Sequence, residues 1–221
     1  MFKPIESEDG FFYEMIGKHF TQNRKDANFD PKNIEFWDGL HVYFNAEEDE
    51  QVIAIEKSSK LGFNPMAVLK SFINNINTEW LDCSPYRIEI FELKTPNSFY
   101  ESVANIDTVI TDITFDYVVP NPFGSEGQTK KMLTNLKNEV SAVKVKMGLN
   151  NPDGLDFNSK EVRNGVEYTE RGGGKMSAKS GKESIYKSTD HKRVAHITFE
   201  EQEQIINGSS LKQILKKILK R

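Results

Sequence analysis

Apolar and polar residues alternate in three stretches, and each predicts a half-buried strand. Within residues 86–93, Ile88, Ile90 and Leu93 alternate with Arg87, Glu89 and Glu92. Within 109–119, Ile113, Phe115 and Tyr117 lie on one face, with Asp112, Thr114 and Asp116 on the other. Within 143–147, Lys144 and Lys146 point outward between apolar neighbours. Residues 40–44 and 51–56 are apolar and β-branched, joined by the acidic connection 45–50, and predict an antiparallel hairpin. Residues 194–199 predict one more strand.

Other segments follow the helical period. Asn64 and Pro65 supply a cap and a first-turn proline. Met66, Leu69, Ile73 and Ile76 then continue on one stripe. Phe11, Met15, Ile16 and Phe20 predict a short helix or an apolar arm, followed by a polar loop over 21–31. Residues 96–104, 129–140 and 200–206 predict helices. So does a segment from Asn158 or Ser159 to Arg171, weakened by Gly165 and stopped by Gly172. Ser209 or Ser210 caps a last helix over 211–221. Leu211, Leu215 and Leu219 form one stripe of it, and Lys212, Lys216 and Lys220 another. That stripe packs on the body, meets a second copy or a partner protein, or lies on a membrane surface.

Strands and helices interleave through short connections. This predicts an α+β fold with mostly antiparallel sheets, helices on one face, and two interleaved βα halves. Pro120, Asn121 and Pro122 end the strand before them. They suggest an acidic half, 1–122, and a basic half, 123–221, within one continuous domain or two.

Charge sharpens that division. Residues 1–120 carry 10 Lys and Arg against 21 Asp and Glu, whereas 121–221 carry 19 against 12. The second part therefore attracts polyanions that the first repels. Its most basic stretch is 171–193. Three glycines, 172–174, are followed by a predicted hairpin, 175–188, turning at Gly181. Lys175, Lys179, Lys182, Lys187, Lys192 and Arg193 are the candidate nucleic-acid-binding residues, because phosphate neutralisation needs several cations on one surface and no fixed motif. No base-reading helix or RNA-binding aromatic signature accompanies them.

Specific chemistry is not evident. The glycines lack the spacing and the hydroxyl of a phosphate loop. Lys175-Met176-Ser177-Ala178-Lys179 resembles a synthetase signature loop with an alanine inserted, and the matching histidine signature is absent. His196-Ile197-Thr198 has the form that two-histidine phosphoesterases use twice, without a second copy. His41, His191 or His196 could act as the base of a metal-independent nuclease. Neither the lone Cys83 nor Asp112 with Asp116 makes a metal-ligand set. No catalytic residue, metal or cofactor is expected. The single cysteine, the acidic start and the lack of a long apolar run predict a cytoplasmic protein without a membrane span.

A family resemblance rests on residues 135–140, the strand at 143–145, Gly154-Leu155-Asp156, Tyr168 before the three glycines, Ala178-Lys179, and 186–190. The strand running into Asn121-Pro122 fits as well. These features resemble the RexA-like phage-exclusion family. The resemblance implies a cytoplasmic anti-phage protein that binds DNA and dimerises. Together the readings predict a non-catalytic nucleic-acid-binding component of a phage-defence system, with DNA ahead of RNA as the ligand. A Cas6-like metal-independent endoribonuclease and a docking subunit of a larger effector are the alternatives.

Overall fold

The computed structural model describes residues 2–46, 51–58, 64–84, 87–104, 106–119, 127–206 and 211–219. In chain order the elements are β1 (Phe2–Glu8), β2 (Phe11–Lys25), β3 (Pro31–Asn45), β4 (Val52–Ile55), α1 (Pro65–Glu79), α2 (Ser98–Ala104), β5 (Asp112–Val118), α3 (Gln128–Val140), β6 (Lys144–Asn150), α4 (Lys160–Tyr168), β7 (Gly174–Ser180), β8 (Glu183–Lys187), α5 (Phe199–Ile206) and α6 (Leu211–Leu219). The chain is an α+β protein with two four-stranded antiparallel sheets, ordered β1-β2-β3-β4 and β6-β5-β7-β8.

The chain forms two compact units, Met1–Ile90 with Ala195–Arg221, and Phe91–Val194. This division differs from the expected one at 122/123. Strand β5 precedes the Pro120–Gly127 stretch yet pairs with β6 and β7 beyond it. Residues 120–126 themselves lie outside the described residues, as do the acidic run 47–50 and Ser209 with Ser210. The division also redistributes charge. Phe91–Val194 carries 15 Lys and Arg against 14 Asp and Glu, and the remainder carries 14 against 19. Basicity is thus a matter of local placement, not of a whole unit.

In the first unit, period-two alternation sends neighbouring side chains to opposite sheet faces. Phe11, Tyr13 and Tyr43 pack with Ile205, Leu211 and Leu215 of α5 and α6. Ile16 and Val42 pack with Leu69 and Ile73 of α1. The terminal stripe therefore spends Leu211 and Leu215 on the chain's own core. Residues 11–20 form a strand, not the short helix considered above. Phe11, Met15 and Ile16 satisfy a helical stripe, but a 15-residue ladder to β3 decides the matter. The same ladder carries β2 through Lys25, where a polar loop was expected, and only 26–30 turn. The helix at Asn64 is as expected, with the Ala67 N–H donating to Asn64 Oδ1.

Among the described residues no strand forms over 87–93 or 194–199, where strands were expected. Ile88 gives its N–H to Asn77 Oδ1 and accepts from Asn77 Nδ2, both at 2.8 Å, so a side chain occupies its backbone instead of a neighbouring strand. In 194–199 the chain instead prepares α5. The Glu201 N–H donates to Thr198 Oγ1 and the Thr198 N–H to Glu201 Oε2, a reciprocal capping box.

In the second unit one sheet face is covered. Ile113, Phe115, Tyr117, Met176, Ala178 and Tyr186 pack against Phe99 and Val103 of α2, Leu133 of α3, and Val162 and Val166 of α4. Gly165 explains why a helix breaker sits within α4. A Cβ there would lie 2.5 Å from Tyr117 Oη and 2.9 Å from the Phe115 ring. The helix ends in a wide turn, Thr169–Gly173, where Gly172 takes φ 87°, a left-handed conformation suited to glycine.

Candidate nucleic-acid interface

The helices of the second unit lie on one side of its sheet, which leaves the alternate side chains of the strands on the other. Register fixes which residues share that open face. Lys146, Asp116 and Lys175 form one row across β6, β5 and β7. Gly148, Thr114, Ser177 and Lys187 form the next, extending onto β8. Asn150, Asp112 and Lys179 form the third, and Lys144 stands opposite Val118 at the end of β6. Lys144, Lys146, Lys175, Lys179 and Lys187 are all exposed.

The face therefore carries five ammonium groups around two carboxylates. Lys175 and Lys179 are separated by about 13 Å along β7, and Lys146 and Lys175 by about 10 Å across β5. Between the charged rows, Gly148, Thr114 and Ser177 keep the middle low. The Asp112 carboxylate accepts from Thr111 Oγ1 and Asn150 Nδ2, both at 2.6 Å. Those hydrogen bonds, with a smaller contribution from the Lys179 charge, hold it below the usual carboxylate range. It stays ionised and anchors the rows around it.

The six candidates do not act as one set. Lys175, Lys179 and Lys187 stand on the open face. Lys182 is exposed in the two-residue turn between Ser180 and Glu183. Lys192 and Arg193 lie beyond β8, on a segment that joins residues 93–95. The Arg193 N–H donates to Leu93 O, and the Thr95 N–H donates to His191 O. Lys192 Nζ lies 2.7 Å from Glu92, whose other oxygen is 3.6 Å from Lys94 Nζ. Lys94 is 3% exposed. Burial opposes ionisation of Glu92, but its bond to Lys192, the Lys192 charge and the Lys94 charge prevail and hold its pKa low. Lys192 thus neutralises an internal carboxylate. The two lysines that reasoning from the sequence left off the site, Lys144 and Lys146, come from the neighbouring strand β6. Their outward alternation was visible in the sequence, but their place beside the hairpin depends on β5 lying between.

The histidines fall elsewhere. Tyr13 Oη and His41 Nδ1 are 2.7 Å apart in the first unit's sheet, where Tyr13 is buried. The His191 ring stacks on Tyr186 with centroids 4.9 Å apart, and His196 belongs to the first unit. Among the described residues no group of three or more His, Cys, Asp or Glu is placed to hold a metal ion. A cavity of about 380 Å³, lined by Asn97, Tyr100, Asn158, Arg163 and Glu170 among others, opens on the second unit. Burial pushes the Glu170 carboxyl above its ordinary range. No sequence pattern pointed to that cavity. Among the described residues no helix is long and apolar enough to cross a membrane. Compared with protein-family models, with curated proteins and with solved structures, the chain matches none of them.

Proposed function

We propose that the chain is a non-catalytic nucleic-acid-binding component of an anti-phage defence system, docking a phosphate backbone on the open face of the β6-β5-β7-β8 sheet. The observation that carries the reading is the gathering of Lys144, Lys146, Lys175, Lys179 and Lys187 from three strands onto one exposed surface. Flexible lysines about 10 Å apart each reach a backbone phosphate without demanding a particular base. Contacts of this kind position a backbone and confer little sequence preference. Asp112 and Asp116 limit affinity, and the lysine–phosphate contacts make it salt-dependent. The defence role rests on the resemblance to RexA-like proteins, and DNA is the ligand it favours.

The test combines binding and biology. A chain with all five lysines changed to alanine loses duplex DNA binding, and cells expressing it lose the restriction of phage plating conferred by the wild type. Equal DNA affinity in the two chains would refute the face as the interface. Plating restriction retained without DNA binding would favour the docking-subunit reading instead.

A further inference from the structure

Strands β2 and β3 pair over 15 residues, from Phe11 opposite Asn45 to Lys25 opposite Pro31. Their neighbours are much shorter. Strand β1 reaches only Ile16 on β2, and β4 covers only Val42–Asn45 of β3. Residues 18–38 are thus a two-stranded ribbon, with no strand on either edge among the described residues. A ribbon of this kind has little independent stability. This one also exposes apolar side chains, with Ile34 at 38%, Phe36 at 40% and Trp37 at 55%. An exposed edge with unpaired backbone groups is a template for another strand.

The polarity of that edge can be read. His41 turns both its N–H and its C=O away from β2, to Glu56 Oε2 and the Glu56 N–H respectively. The register from 31 to 45 is unbroken. Asn33, Glu35 and Trp37 therefore turn their N–H and C=O to the same edge. We propose that this edge pairs with the same edge of a second copy of the chain, antiparallel and centred on Glu35.

That register places Asn33 opposite the second copy's Trp37 and Glu35 opposite Glu35, so outward-turned residues meet outward-turned residues, as a ladder requires. It places Lys32 opposite Asp38 twice and Ile34 opposite Phe36 twice. Shifting the centre to Phe36 would instead put Ile34 opposite Asp38. Within its own hairpin Lys32 faces Arg24, a like-charge pair that an acid from the second copy relieves. The two Glu35 side chains stand opposite each other at the centre, each with the His19 Nε2 of its own chain 3.6 Å from the carboxylate.

Charge reversal tests the pairing, with the sheet content of each variant checked by circular dichroism. In sedimentation equilibrium at about 100 µM, the wild type is expected at twice the 25.3 kDa of one chain. Lys32→Asp and Asp38→Lys should each shift it towards one chain's mass, raising the dissociation constant at least about tenfold. The double variant should recover the wild-type mass. A monomeric wild type would overturn the proposal. So would a dimer unmoved by either reversal, or a double variant that fails to recover.

Discussion

Lys179 stands directly opposite Asp112 across β7 and β5, and the same pairing places Lys175 opposite Asp116. Each acid of the open face therefore faces a lysine proposed to bind phosphate. An acid in that position competes with the phosphate for the ammonium group. Asp116 is exposed. Replacing it with Asn should tighten DNA binding about two- to fivefold, the scale of one surface ion pair. Fluorescence anisotropy at low salt measures this directly, and weaker binding would mean that Asp116 orders the lysines more than it shields them.

Lys192 separates stability from binding. It is bound to Glu92 and lies off the sheet face, so Lys192→Ala should leave DNA affinity within about twofold while lowering stability by up to about 1 kcal/mol. Glu92 has a folded pKa below its unfolded value. The stabilisation it gains from Lys192 is present above the ordinary carboxylate range and disappears as pH falls through the folded value. Thermal melts at pH 7 and in acid should therefore show the two proteins converging on acidification.

Gly165 is required by packing. Adding a methyl group would push it against Tyr117 Oη and the Phe115 ring, so Gly165→Ala should destabilise by about 1–3 kcal/mol despite alanine's better helix propensity. Gly148, on the open face, has nothing within 4 Å of an added Cβ. Gly148→Ala is the control, and denaturant unfolding should place it close to wild type.

Glu14 is a fourth test, in the other unit. Its side chain is only 9% exposed, and Oε2 has no hydrogen-bond partner among the described residues. Burial raises its pKa above the ordinary carboxylate range. The unfolded chain then holds fewer protons than the folded one, so stability falls as pH rises from that range. Glu14→Gln should stabilise the protein by about 1 kcal/mol at neutral pH, and the gain should vanish in acid.

The second unit was legible because its elements obey single, local rules. Alternation in β5 and β6, the Ser159 cap of α4 and the glycine stop at 172 each carry their own signal. The first unit was not, because its signals conflict or are distant. Phe11, Met15 and Ile16 fit two periods at once. The polar residues 21–25 join a strand only through their ladder to 31–35. The return of Ala195 onward to the first unit has no mark in local hydropathy. The candidate site followed the same division. Lys175, Lys179 and Lys187 come from one hairpin whose pattern names them, whereas Lys144 and Lys146 join them only through a strand order that places β5 in the middle. Lys192 and Arg193 looked equivalent to the rest because nothing in their neighbourhood showed that residues 92–95, about a hundred positions earlier, would meet them.

The salt dependence of DNA binding tests the central claim most directly. For the wild type, the logarithm of the association constant should fall with the logarithm of salt concentration at a slope of roughly −3 to −4, from four or so displaced counterions. Changing Lys175, Lys179 and Lys187 together to alanine should bring that slope to about −1 to −2 and weaken binding at low salt. A wild-type slope near zero, or one that the triple substitution leaves unchanged, would contradict the assignment of the open sheet face as the phosphate-binding surface.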